Sequence, residues 1–220
     1  MSKVVIKKTF DKPDKVYQLN DLSSFKTYDK IFVKNDSRER AEINGSDGEH
    51  GYVTRHFFVA NDKLYEGLMG EAELEDELSF KYPEATWRED FFSRELLAKL
   101  VGHFAKDYRK VSYVEFDKED FRYIKQILPR KKGQDDNTSG KLWFEDDMVV
   151  GIDENGDVEV QCEARCDHLT GWHFNANWMY HLGLYKGEVL ITKDEKSCAL
   201  HMERDGYHVF LMALKGEGRG

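Results

Sequence analysis

The sequence predicts an α+β protein, mostly antiparallel sheet, with one long amphipathic helix at about residues 87–108 and one or two short helices. Three observations carry that reading. Short apolar stretches such as Val4–Ile6, Ile31–Val33, Val111–Phe116 and Met148–Ile152 recur between turn-forming residues, the pattern of strands. Trp87, Phe91, Phe92, Leu96, Leu100, Phe104 and Tyr108 recur at intervals of one or four residues and form one apolar stripe at helical spacing. Residues 130–140 contain no apolar side chain, which marks a linker between an N-terminal α+β lobe, 1–129, and a β-rich lobe, 141–220. The second lobe holds no long helix to cover a sheet face, so the two lobes are expected to share one core.

Element by element, Lys3–Phe10 reads as a strand, a short helix follows Pro13, and Lys30–Lys34 reads as another strand. Residues 35–51 look like a polar surface loop, and Tyr52–Ala60 with Lys63–Leu68 like a hairpin turning at Asn61-Asp62. Thr86-Trp87-Arg88-Glu89 has the capping-box form that opens the long helix. Val111–Phe116 follows as a strand. Asp117 then caps a short helix whose Phe121, Ile124 and Leu128 share a face before Pro129.

Two hairpins have registers that follow from loop length. For Asp153–Asp157, a three-residue loop pairs Ile152 with Val158, Val150 with Val160 and Met148 with Cys162. Asp147, Asp153, Asp157, Glu159, Gln161 and Glu163 then occupy the opposite face, either as a solvated surface or as oxygen ligands for a hard cation. Asp205-Gly206 is a two-residue hairpin signal. It pairs Arg204 with Tyr207, Glu203 with His208, Met202 with Val209 and His201 with Phe210. Cys198, Leu200, Met202, Val209 and Leu211 form the core face, and His201, Glu203 and His208 gather on the other. A carboxylate beside His208 is expected to raise its pKa and orient its ring for general-base work, with His168 as a further, weaker candidate.

Between these hairpins, residues 166–185 concentrate aromatic and histidine side chains. Trp172, His173, Phe174, Asn175, Trp178 and Tyr180 are the residue types that line binding surfaces, and equally those that pack a core under a long connection. Cys162, Cys166, His168 and His173 do not follow a trusted zinc spacing, and Cys166 with Asp167 is weak evidence for a thiol nucleophile. His168-Leu169-Thr170 has no second copy, as a two-histidine phosphoesterase requires. The sequence lacks a Gly-rich phosphate loop, a Gly-x-Ser-x-Gly elbow and a His-Glu-x-x-His motif. No metal or cofactor is expected.

Charge narrows the function classes. The 220 residues carry 33 basic and 42 acidic side chains, a net charge of −9. By segment the balance is +2 over 1–60, −6 over 61–100, +2 over 101–140 and −7 over 141–220. The one basic cluster, Arg130-Lys131-Lys132, is not a basic stripe, so direct nucleic-acid binding is disfavoured. Glu71–Glu77 reads as a short helix with a solvated acidic face. No apolar run approaches the roughly 18 residues of a membrane span, and three cysteines make no disulfide framework, which suggests a reducing cytoplasm. The leading expectation is a small cytosolic binding or accessory protein, including an inhibitor. It would act on a protein or small ligand through acidic and aromatic surfaces. The alternatives are a hydrolase, phosphoesterase or nuclease, built on His201, Glu203 and His208, and an acidic DNA mimic.

Overall fold

The computed structural model describes residues 22–23, 40–54, 56–69, 78–81, 108–116, 120–128, 140–145, 148–153, 155–156, 158–165 and 172–215. The strands expected at Lys3–Phe10 and Lys30–Lys34, the helix after Pro13, the acidic run Glu71–Glu77, residues 130–139 and the segment holding Cys166 and His168 lie outside them. The fold is largely β, mostly antiparallel strands with only short helices, and this corrects the α+β reading built on one long helix. The expected helix lies outside the described residues up to residue 107. Its last apolar position, Tyr108, is strand, paired with Thr192.

Thirteen strands form the described sheet: β1 (Arg40–Asn44), β2 (His50–Thr54), β3 (Phe57–Asn61), β4 (Ser79–Lys81), β5 (Tyr108–Phe116), β6 (Lys141–Glu145), β7 (Met148–Ile152), β8 (Glu159–Arg165), β9 (Trp172–Asn175), β10 (Lys186–Thr192), β11 (Cys198–Arg204), β12 (Tyr207–Met212) and β13 (Leu214–Lys215). Their order is β13-β9-β6-β7-β8-β5-β10-β11-β12-β3-β2-β1-β4, and every pairing is antiparallel. Helix α1 (Asp62–Met69) follows β3, a 3₁₀ helix spans Asp120–Ile127, and α2 (Ala176–His181) follows β9.

The main core explains the curvature of this ladder. It joins Tyr52, Phe57, Val59, Val209 and Leu211 from one end to Leu142, Phe144, Val149 and Phe174 from the other. Phe121, Ile124 and Ile127 of the 3₁₀ helix lie among them, with Trp178 and Met179 of α2, so the sheet bends around its own interior. Two local features permit the bend. The β5–β8 contact is confined to Glu115–Arg165 and Phe116–Ala164, and the β5–β10 register shifts between Val189 and Leu190. Such a bulge increases local twist and lets a strand turn away from its neighbour.

A second core lies on the opposite face of β1, β2, β3, β11 and β12. Ala41, Ile43, Val53, Phe58, Ala60, Ala199 and Phe210 meet Leu64 and Leu68 of α1 there. Residues 63–68 are therefore helix and not the second arm of a hairpin. Asn61 ends β3 and its Oδ1 accepts from Leu64 N at 3.0 Å, the bond of a helix N-cap. Leu64 and Leu68, four apart, share the buried face. An eight-residue helix is marginal alone, so those two leucines, each contributing about 1.5–3 kcal/mol on burial, hold it in place. The expected loop at 35–51 is also corrected, because Arg40–Asn44 is strand with Ala41 and Ile43 buried on alternate positions.

The hairpin at 147–163 adopts the register that hydrophobic patterning disfavours. Ile152 pairs with Glu159, Val150 with Gln161 and Val149 with Cys162. Asp153 closes the loop instead: its N–H donates to Val158 O, its Oδ1 accepts from Val158 N, and its carbonyl accepts from Gly156 N. Alternation fails as a guide because Val149, Val150 and Gly151 are all buried, so β7 is covered on both faces. Glu159 and Gln161 thus share a face with Val150, and the separate carboxylate face is not formed. Asp147 and Asp157 lie outside the described residues.

The Asp205-Gly206 hairpin has the expected register throughout. Both turn residues have positive φ, 53° and 75°, as a type I′ turn requires. Beneath it, Gly187 of β10 is needed for close approach, since a Cβ there would stand 2.4 Å from the carbonyl oxygen of His201. Gly187→Ala is expected to push β10 from β11 and lower unfolding free energy by about 1–3 kcal/mol. A chemical-denaturation midpoint equal to wild type would contradict this strand spacing.

Candidate functional site

The second core contains two histidines amid its apolar residues. His201 of β11 and His208 of β12 project from the face opposite Leu200, Met202 and Val209, and their side chains are 14% and 12% exposed. His201 Nε2 and His208 Nδ1 lie 3.1 Å apart, hydrogen-bonded, with the rings within 5° of parallel. Phe210 stacks on His201 at 4.3 Å and Tyr65 of α1 stacks on His208 at 3.7 Å. The outer nitrogens face carboxylates: His201 Nδ1 is 3.8 Å from Glu188, and His208 Nε2 is 3.4 Å from Asp62. Lys110 pairs with the other oxygen of Glu188 at 2.6 Å.

The resulting line is carboxylate, imidazole, imidazole, carboxylate. Two neutral rings supply two N–H groups for three gaps. One added proton fills all three, whereas a second would set two N–H groups face to face between the rings. The pair can therefore hold one extra proton. Burial opposes even that one. It pushes His201 down to about 4, helped by the neighbouring His208 and opposed by Glu188. His208 is also lowered by burial, against the raising influence of Glu203, Asp62 and Glu66. The expected rise in the His208 pKa is thus corrected. Glu203 does sit in register with His208, but the loss of hydration outweighs its charge.

The other candidates sit elsewhere. Trp172, Phe174, Trp178 and Tyr180 are buried in the main core. Asn175 Oδ1 accepts from Trp178 N and caps α2. His173 is half-buried on β9 opposite Trp143 and Leu214, and burial and Lys141 lower its pKa. Cys162 and Cys198 are buried, and burial pushes both thiols up to about 12, which leaves them poor nucleophiles. Among the described residues, no group of three or more His, Cys, Asp or Glu side chains is arranged to hold a metal ion. His168 lies outside the described residues. The sequence reading missed Asp62, Tyr65 and Glu188. The first two became visible only with α1, and Glu188 depends on the β10–β11 pairing that sets it opposite His201.

A histidine whose folded pKa lies below its unfolded value of about 6.5 binds more protons when unfolded. Its neutral form supports the fold fully above 6.5, and that support is lost as pH falls towards 4. A displacement from 6.5 to about 4 corresponds to roughly 3 kcal/mol at most. His201→Asn is therefore expected to flatten the fall in stability between pH 7 and pH 4, read by urea unfolding at each pH. An unchanged slope would show that His201 is hydrated and protonates freely.

Neither a protein-family model nor a curated protein matches this chain. Among solved structures it is similar to a DnaN sliding clamp (DNA polymerase III subunit beta) from Bartonella birtlesii, with TM-score 0.47 and 10% identity, over 81% of this chain and 59% of that one. The beta sliding clamp of C. crescentus gives TM-score 0.44 and 12% identity over 86% and 64%. DNA polymerase III subunit beta of Borrelia burgdorferi gives 0.43 and 10% over 86% and 57%. The chain thus spans less than two thirds of the length of each.

Proposed function

We propose that the chain is an accessory binding protein that recognises an arginine-bearing segment of a protein partner on the face formed by β10, β11, β12 and α1. One observation carries this reading: the carboxylates of Asp62, Glu66, Glu188 and Glu203 converge on a single aromatic cluster, Tyr65 with His201 and His208. Glu188 and Glu203 raise the Tyr65 phenol after burial does, and Glu203, Asp62 and Glu66 act on His208. The side chain of Asp62 remains 55% exposed, so its charge is available to a partner, whereas Glu188, 40% exposed, shares its charge with Lys110. A guanidinium suits such a place, since it donates to carboxylates in a planar fork and stacks on aromatic rings.

The hydrolase alternative draws on the same convergence of His201 and His208. Those rings direct their nitrogens at each other, at Glu188 and at Asp62, and Tyr65 and Phe210 lie over their faces. That arrangement fits an orienting core better than a pair of groups turned to substrate.

The test is a titration with fluorescein-labelled octa-arginine at 50 and 500 mM salt. Wild type is expected to bind at low salt and weaken as salt rises. Glu188→Gln with Glu203→Lys should weaken binding at least about ten-fold, an effect of roughly 1.4 kcal/mol, while Glu195→Lys in the exposed β10–β11 turn should not. Equal weakening by Glu195→Lys would reduce the effect to net charge and overturn the site. Cleavage of p-nitrophenyl phosphate that disappears in His201→Asn would instead establish the hydrolase.

A further inference from the structure

A third imidazole, His50, lies on the other face of the same sheet, and its partners form a relay. His50 opens β2. Its Nε2 is 3.2 Å from Glu42 Oε1 of β1, and its Nδ1 is 3.2 Å from the hydroxyl of Tyr207 at the start of β12. A carboxylate can only accept, so the ring proton sits on Nε2 and is donated to Glu42. Nδ1 is then left as the acceptor facing the Tyr207 hydroxyl. The remaining oxygen of Glu42 lies 3.7 Å from Lys81 Nζ of β4.

The backbone holds these groups in place. His50 N donates to Asn61 Oδ1 at 3.0 Å, and Asn61 Nδ2 donates to Gly48 O at 2.8 Å. Tyr207 pairs with Asn61 across the β12–β3 ladder, so His50, Asn61 and Tyr207 form one row and the phenol reaches over Asn61. Tyr52 meets the His50 ring edge-on at 5.0 Å. Glu42 and His50 are only 14% and 18% exposed, whereas Tyr207 is half-buried at the rim. A nucleophile within hydrogen-bond reach of a base, and a base oriented by a third group, is the arrangement that activates a hydroxyl.

We propose that Tyr207 is an activated phenol that accepts an acyl group, with His50 as general base and Glu42 as the positioning residue. In that step the Tyr207 oxygen attacks the acyl carbonyl, His50 Nδ1 takes the phenolic proton, and the bond from the acyl carbon to its leaving group breaks. The donor class follows from leaving-group chemistry. A phenol ionises near pH 10, so it displaces a thiolate or an aryl oxide, whose conjugate acids are of similar or greater acidity, and not an alkoxide.

The test uses p-nitrophenyl acetate with the full chain, followed by peptide mass mapping of acetyl-tyrosine. Tyr113 is the internal control, because it is 41% exposed and more accessible than Tyr207. Tyr207 is expected to acetylate at least ten times faster than Tyr113, with a plateau below the pH of about 10 at which a free phenol ionises. His50→Gln should slow Tyr207 by about a hundred-fold. Glu42→Gln presents an amide that can reverse the ring tautomer. It should slow the reaction and return the pH profile to that of an ordinary phenol, and Glu42→Asp should recover part of the rate. Circular dichroism and Tm establish that each variant is folded. Should His50→Gln fail to fold, the Glu42 pair decides by its pH profiles. Equal labelling of Tyr113 and Tyr207, or profiles unchanged in folded Glu42→Gln, would overturn the proposal.

Discussion

A two-residue turn with positive φ at both positions matches the right-handed twist of its flanking strands, and Asp205 with Gly206 supplies it between β11 and β12. The register this turn sets governs both histidine clusters. Tyr207, Val209 and Leu211 face the main core side, while His208 and Phe210 face α1. A slip of one residue would exchange the two sets. It would part His201 from His208 and Tyr207 from His50 together, and place a histidine among the main-core side chains. Because β12 is covered on both faces, such a slip meets a penalty on each, and the register is correspondingly well determined.

Helix α1 ties the two faces to each other. Asn61, the last residue of β3, accepts at one oxygen from both His50 N and Leu64 N, so a single side chain fixes the start of β2 and the start of the helix. Asp62 and Tyr65 then fall within the first turn and meet His208 from above. Burying imidazoles in an apolar layer is costly unless their nitrogens are satisfied. The protein satisfies them in two ways: ring to ring on the α1 face, and carboxylate to ring to phenol on the other.

How much of this was legible in the residues depends on whether a strand has one covered face or two. The 205–206 hairpin could be read because Asp-Gly names the turn and one arrangement segregates its apolar side chains. The 153–157 hairpin could not, because Val149, Val150 and Gly151 at the centre of β7 are buried on both faces and patterning cannot rank its registers. Asn61-Asp62 is an ambiguous dipeptide, equally suited to a tight turn and to a helix N-cap. Only the burial of Leu64 and Leu68 against β1–β3 decides between them. The short helix near Phe121 and Ile124 was visible from spacing alone, although it forms as a 3₁₀ helix. The sign of the His208 shift was not visible, since the Tyr65 ring that covers it arrives from a distant segment. His50 and Tyr207 are 157 residues apart and match no spacing rule.

The two clusters meet at adjacent residues of β12 yet are separable in chemistry, because adjacent residues of a strand point to opposite faces. Tyr207 belongs to the relay and His208 to the imidazole pair. A change that removes the phenol oxygen leaves the β12 backbone pairing intact, since that pairing uses main-chain groups alone. The reverse also holds for the ring of His208. What they share is the backbone of β12 and the cap at Asn61, so a disturbance of either element is felt at both clusters. Substitutions confined to side-chain tips should affect one at a time. That asymmetry distinguishes the proposed binding face at α1 from the proposed reactive phenol on the reverse of the same sheet.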